Sequence, residues 1–164
     1  MKNIIRPIVG VMGPGNPNNP QIEKQAELLG QHIADNQWIL LTGGRNTGVM
    51  NSASKGANKA GGTVIGILPG KTEEEMSDFV TLPIKTGMGN ARNAINILSS
   101  DVIVVCGMGS GTASEAALAI KHNRPLLFTM ITQEQLSFFN SLGRESFYFS
   151  NDIEFLIEKI NSYL

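Results

Sequence analysis

Cysteine is nearly absent from this chain of 164 residues: Cys106 stands alone. One thiol excludes an internal disulfide framework and any zinc site built from several cysteines. Histidine is almost as scarce, at two residues, so a His-rich metal centre is excluded too, and no protein-bound metal is expected. Charge of one sign is missing: 13 Lys and Arg face 14 Asp and Glu, which leaves no basic footprint for nucleic acid. Aromatic residues are only 6% of the chain, too few for a stacking platform along a single strand. No apolar run is long enough to span a bilayer, and no signal-peptide pattern opens the chain, so a cytoplasmic protein without membrane contact is expected.

What is present is 41% hydrophobic residue and 18 glycines, against 7 prolines. The length suits one domain, residues 1–164, with a sizeable core. Apolar runs and helical periodicities alternate along it. Ile8 to Met12 reads as a buried strand, and Ile22, Ala26, Leu29 and Ile33 recur at helical spacing up to Asp35. Trp38 to Leu41 is the next strand, Val49 to Ala60 a small-residue helix, and Thr63 to Leu68 a third strand. Phe79 to Ile84 suggests a short extra strand. Gly89 to Ser99 reads as one helix with Ala94, Ile95 and Leu98 inward. Asp101 to Cys106 is a strand, Thr112 to His122 a helix and Pro125 to Thr129 a strand. Glu134 to Leu142 suggests a helix, Ser146 to Phe149 a last strand, and Ile153 to Ile160 a final helix.

This alternation predicts a single doubly wound parallel sheet covered on both faces, a Rossmann-like α/β fold. The strands lack clean period-2 alternation, as burial of both faces requires. Ligands of such sheets bind beyond the carboxyl ends of the strands. Three glycine turns follow strands: Gly13-Pro14-Gly15, Thr42-Gly43-Gly44-Arg45 and Gly107-Met108-Gly109-Ser110-Gly111-Thr112. If the strands are parallel, all three lie along one edge.

The third turn joins a strand to a helix. Glycine lets backbone approach a ligand closely, and free N–H groups at a helix start attract anions. Ser110 and Thr112 add hydroxyls. A phosphate is the natural guest. The pattern is neither the G-x-G-x-x-G dinucleotide fingerprint nor a P-loop, which argues against NAD and Mg-ATP. Thr112 and Glu115 have the spacing of a capping box, in which Glu115 only satisfies a backbone N–H. The other reading makes Glu115 a carboxylate at the mouth of an anion site, available for acid–base work or a hydroxyl. Arg92 is either a solvated arginine or a fixed cation for phosphate, and Arg45 has the same two readings. Cys106 reads as a buried, inert thiol.

Taken in order, Thr42-Gly43-Gly44…Gly48-Val49-Met50, Met88-Gly89-Asn90-Ala91-Arg92-Asn93-Ala94 and Gly107-x-Gly109-x-Gly111-Thr112-x-x-Glu115 form a set. It resembles the superfamily of LONELY GUY phosphoribohydrolases, lysine decarboxylase-like proteins and DNA-processing protein A. In the hydrolases the third motif holds a 5′-phosphate and its glutamate acts with an arginine. The resemblance thus implies Arg92 and Glu115 as the catalytic pair of an enzyme releasing free base from cytokinin or nucleoside 5′-monophosphates. This chain departs from that pattern. Cys106 replaces the family's proline, Asn93 its lysine, Gly89-Asn90 its Met-His pair, and Ser114 a first glutamate. These departures, and the opening Gly10-Val11-Met12-Gly13-Pro14-Gly15, are similar to the short branch of molybdenum cofactor carrier proteins. That branch implies a phosphorylated pterin held as ligand, with molybdenum cofactor as the bound group and a homo-oligomer, dimer or tetramer. Single-stranded DNA, implied by the DNA-processing relatives, ranks third.

Overall fold

The computed structural model describes residues 6–143 and 147–164. Its first strand, β1 (Ile8–Met12), is wholly apolar apart from Gly10, and it alternates: Val9 and Val11 face one core, Met12 the other. The chain turns at Gly13–Gly15 into α1 (Pro20–Asp35). Pro20 opens that helix, and the Asn19 side chain accepts from the Gln21 N–H at 2.9 Å, satisfying one of the free first-turn donors. Then follow β2 (Ile39–Thr42), α2 (Gly48–Lys59), β3 (Val64–Leu68) and β4 (Leu82–Lys85). A 3₁₀ turn (Gly89–Arg92) leads into α3 (Asn93–Leu98). The second half is β5 (Val102–Cys106), α4 (Ser110–Lys121), β6 (Leu126–Thr129), α5 (Gln133–Leu142), β7 (Tyr148–Phe149) and α6 (Ile153–Tyr163).

The seven strands form one sheet in the order β4-β3-β2-β1-β5-β6-β7, and every pairing is parallel. This is the doubly wound Rossmann-like architecture. Helices α1, α2 and α6 bury Leu29, Ile33, Val49, Ala53, Leu156 and Ile160 against one face. Helices α3, α4 and α5 bury Ile97, Ala116, Ala119 and Phe139 against the other, around Phe128, Ile103 and Val105. The chain winds outward from β1 to β4 and then returns to β1's far side as β5. The strand order therefore reverses between β1 and β5, and a crevice must open there above their carboxyl ends. No helix among the described residues is long and apolar enough to cross a membrane.

Helices α1 and α2 cross at glycines. A Cβ on Gly30 would strike the Ala53 carbonyl, and one on Gly56 the Glu27 carbonyl. Neither backbone can retreat without parting the pair. Gly56→Ala is therefore expected to cost about 1–3 kcal/mol of stability, read as a lower urea midpoint, despite alanine's better helix propensity. An unchanged or raised midpoint would show that the crossing is looser than drawn.

Three expectations need correction. Gly89 to Ser99 is not one helix. The tighter 3₁₀ turn shifts the phase, so Arg92, Asn96 and Ile97 face inward, Ala94 and Ile95 are half-buried, and Leu98 is 46% exposed. Helix α4 starts at Ser110, two residues before Thr112. The strand expected at Phe79 is confined to Leu82–Lys85, where it pairs with β3. Of the last expected strand, Tyr148 and Phe149 pair with β6, while Ser146 lies outside the described residues.

Candidate functional site

A cleft of about 280 Å³ opens at the β1–β5 switch point. Its walls come from three sources: the turn after β1 (Gly13, Pro14, Gly15), the turn after β2 (Gly43, Arg45), and the start of α4 (Gly109, Ser110, Gly111, Thr112). Asn90, Arg92, Asn93 and Glu115, with Val11, Met12 and Met50, complete it. Parallel strands bring the three glycine turns together, as the sheet topology requires.

Four other residues of those turns are not in the wall. Thr42 is fully buried and its hydroxyl accepts from the Gly44 N–H at 3.0 Å. Gly44 has a φ of +74°, and a side chain there would meet Gly66 of β3. Gly107, also at +74°, donates its N–H to the Thr129 carbonyl at 3.0 Å and packs against Ile22. Met108 packs on the core beneath α4. These residues shape the turns. Sequence reasoning missed Val11, Met12, Pro14, Met50, Asn90 and Asn93 as lining. Asn90 and Asn93 had a signal, since they flank Arg92 in its motif, and Met50 closes the Thr42-Gly43-Gly44…Gly48-Val49-Met50 motif.

Helix α4 has Gly109 as its N-cap, and no side chain caps it. Its first N–H groups therefore remain available at the cleft. This overturns the capping-box reading. Thr112 is already inside the helix, and Glu115 is a turn further in, where no free N–H exists for it to satisfy. Instead Glu115 is 7% exposed and accepts one hydrogen bond, from Asn96 Nδ2 at 2.8 Å. Burial pushes its carboxyl up to about 7, while Asn96 and Arg92 pull the other way.

Arg92 is also 7% exposed. Its Nε and Nη1 are buried and hydrogen-bonded to nothing. Burial draws the guanidinium below its ordinary value; Glu115 opposes this and Arg45 adds to it. Gly43 makes room for it, since a Cβ there would collide with Nη1 and come within 2.8 Å of Nη2. A buried cation with orphaned donors is costly, and an anion in the cleft would relieve it. Arg45, also in the lining, pairs with Glu75 at 3.1 Å in a partly exposed bridge. Cys106 lies fully buried at the end of β5, and burial lifts its thiol to about 12, so it is no nucleophile. No group of three or more His, Cys, Asp or Glu among the described residues could hold a metal ion.

The fold and cleft together define a doubly wound α/β protein with a glycine-walled cleft at its switch point, lined by a buried arginine and a buried glutamate. Comparison with known proteins narrows this: the chain belongs to the SLOG cluster4 family, whose model matches residues 6–157. It is similar to the molybdenum cofactor binding protein of Rippkaea orientalis, at 48% identity and a TM-score of 0.94 over 98% of both chains. It is likewise similar to the Moco carrier protein of Chlamydomonas reinhardtii, at 46% identity and a TM-score of 0.90, covering 97% of this chain and 98% of that one. An uncharacterised protein of Archaeoglobus fulgidus is 40% identical over 116 residues, 71% of this chain and 75% of its own length.

Proposed function

We propose that this protein binds molybdenum cofactor in the β1–β5 cleft and carries it, with the cofactor's phosphate held between Arg92 and the uncapped start of α4. The observation that carries this reading is the buried guanidinium of Arg92, which lines the cleft beside a helix N-terminus and whose Nε and Nη1 have no partner. The relatives described as a molybdenum cofactor binding protein and a Moco carrier protein match nearly the whole chain at 48% and 46% identity, which supports the same cargo here. The cofactor is cargo, so the residues need only grip its phosphate and shelter its ring system. Nothing in the wall supplies a protein ligand set for molybdenum.

The hydrolase reading keeps one observation in its favour: Glu115 and Arg92 share the cleft, as a glycosidic bond hydrolase would need. One experiment separates the two. Pure protein is mixed with molybdenum cofactor and gel-filtered, and in parallel is incubated with adenosine and cytokinin 5′-monophosphates. Pterin fluorescence should co-elute with the protein, with no free base formed. Rapid base release that vanishes in Glu115→Gln would make the protein a phosphoribohydrolase instead. A homo-oligomer, dimer or tetramer, is part of this proposal; light scattering that finds a monomer at every concentration would remove it.

A further inference from the structure

We infer that the cleft is proton-linked: an anion enters together with one proton taken up from solvent by Glu115, so capture is favoured on the acid side of neutrality and release on the alkaline side. This deepens the anion-binding reading above and rests on it.

Glu115 and Arg92 are both more than nine-tenths buried and line the same cavity. They are not hydrogen-bonded to one another, because Glu115 accepts only from Asn96, while Arg92 Nε and Nη1 have no partner. Each charge acts on the other across the shared cavity, so an anion drawn to Arg92 there comes near the Glu115 carboxyl as well. Two anions in one buried pocket raise each other's proton affinity steeply. The ligand is held by the helix start and the guanidinium, so the carboxyl is the group that yields and becomes neutral.

Asn96 is built for both states. Its Nδ2 donates to the carboxylate at 2.8 Å, while its Oδ1 is buried with no partner. Rotating the amide by half a turn presents that oxygen to a carboxylic O–H. Among the described residues that line the cleft, the ionisable ones besides Glu115 are Arg92 and Arg45. From the 3₁₀ turn, Arg92 acts on Glu115; from the β2–α2 turn, Arg45 acts on Arg92 and is itself tied to Glu75. The β1 turn contributes Gly13, Pro14 and Gly15, α2 contributes Met50, and α4 itself Ser110 and Thr112, none of which ionises near neutrality. His32 and His122 do not line the cleft. Burial already holds the carboxyl near 7 before any ligand arrives, so a further push moves it through the neutral range.

The test uses sulfate, which stays dianionic throughout the range. Calorimetric titration of the whole protein from pH 6 to 9 should show Kd rising by about tenfold per pH unit above neutrality. Buffers of different ionisation enthalpy should report uptake approaching one proton per sulfate. Glu115→Gln should bind across the range with a flat profile. Carbon NMR of the wild-type Glu115 carboxyl, which needs no variant, should show its midpoint moving up by about two pH units or more in saturating sulfate. A flat wild-type profile, a slope that survives in Glu115→Gln, or an unmoved carboxyl midpoint overturns the proton link and leaves the anion site standing. Sulfate that fails to bind at pH 6 to either protein overturns both.

Discussion

Replacing Arg92 by methionine should weaken capture of molybdenum cofactor by about a hundredfold, while leaving the apo protein as stable as before or more so. Two charge-assisted hydrogen bonds from a desolvated guanidinium are together worth about 2–3 kcal/mol, which is that factor. Stability moves the other way because the unliganded protein holds this cation without partners for Nε and Nη1. Methionine fills much of the volume with no donors to orphan. Binding followed by pterin fluorescence, beside a thermal melt of each protein, reads both effects. A variant that binds normally would remove Arg92 from the site. One that melts far below the wild type would make it a structural residue instead.

The second large effect concerns Glu115 and has an unusual sign. Its carboxyl is held near 7 in the folded chain, against 4.5 as a free side chain. A raised carboxyl favours the fold at low pH, where it is neutral in both states. From pH 4.5 upward the unfolded chain ionises first, and stability is lost until the folded carboxyl also ionises near 7; above that the deficit is constant. At pH 8 the deficit is about 3 kcal/mol. Glu115→Gln abolishes it and keeps an amide against Asn96. The variant should thus be more stable than wild type by up to that amount at pH 8, with the two curves converging near pH 4.5. Urea unfolding at a series of pH values gives the comparison. A helix-capping glutamate would behave oppositely, losing about 1 kcal/mol on substitution. A difference independent of pH would mean that Glu115 is not held near 7.

The strands were legible because both faces of a parallel sheet must be apolar, and Val102 to Cys106 or Ile8 to Met12 have no other plausible fate in a chain of this composition. The edge where ligands gather followed from strand, glycine turn and helix recurring in the same order. What stayed hidden was rotation. Thr112 and Glu115 have capping-box spacing, and only the true start of α4 at Ser110 shows that the glutamate is buried in the pocket wall. Likewise Arg92 and Asn96 turn inward because a 3₁₀ turn precedes α3, whereas an uninterrupted helix would have buried Leu98. Gly44 and Gly107 looked like cradle residues, yet their positive φ serves packing against β3 and Ile22. A glycine motif marks where backbone must come close; it does not say whether the neighbour is a ligand or the protein itself.

The central position of β1 also governs the order in which the protein can be made. Its pairing with β2 is local, but its other edge waits for β5: the Ile8 N–H meets the Asp101 carboxylate across 93 residues. A chain leaving the ribosome can assemble β1 to β4 early, with the edge of β1 still bare. The pocket straddles that late seam, and Glu115 emerges later still. A ligand of the cleft therefore cannot guide the nascent chain through its first half. It can act only once the second half has docked, by holding the completed seam shut.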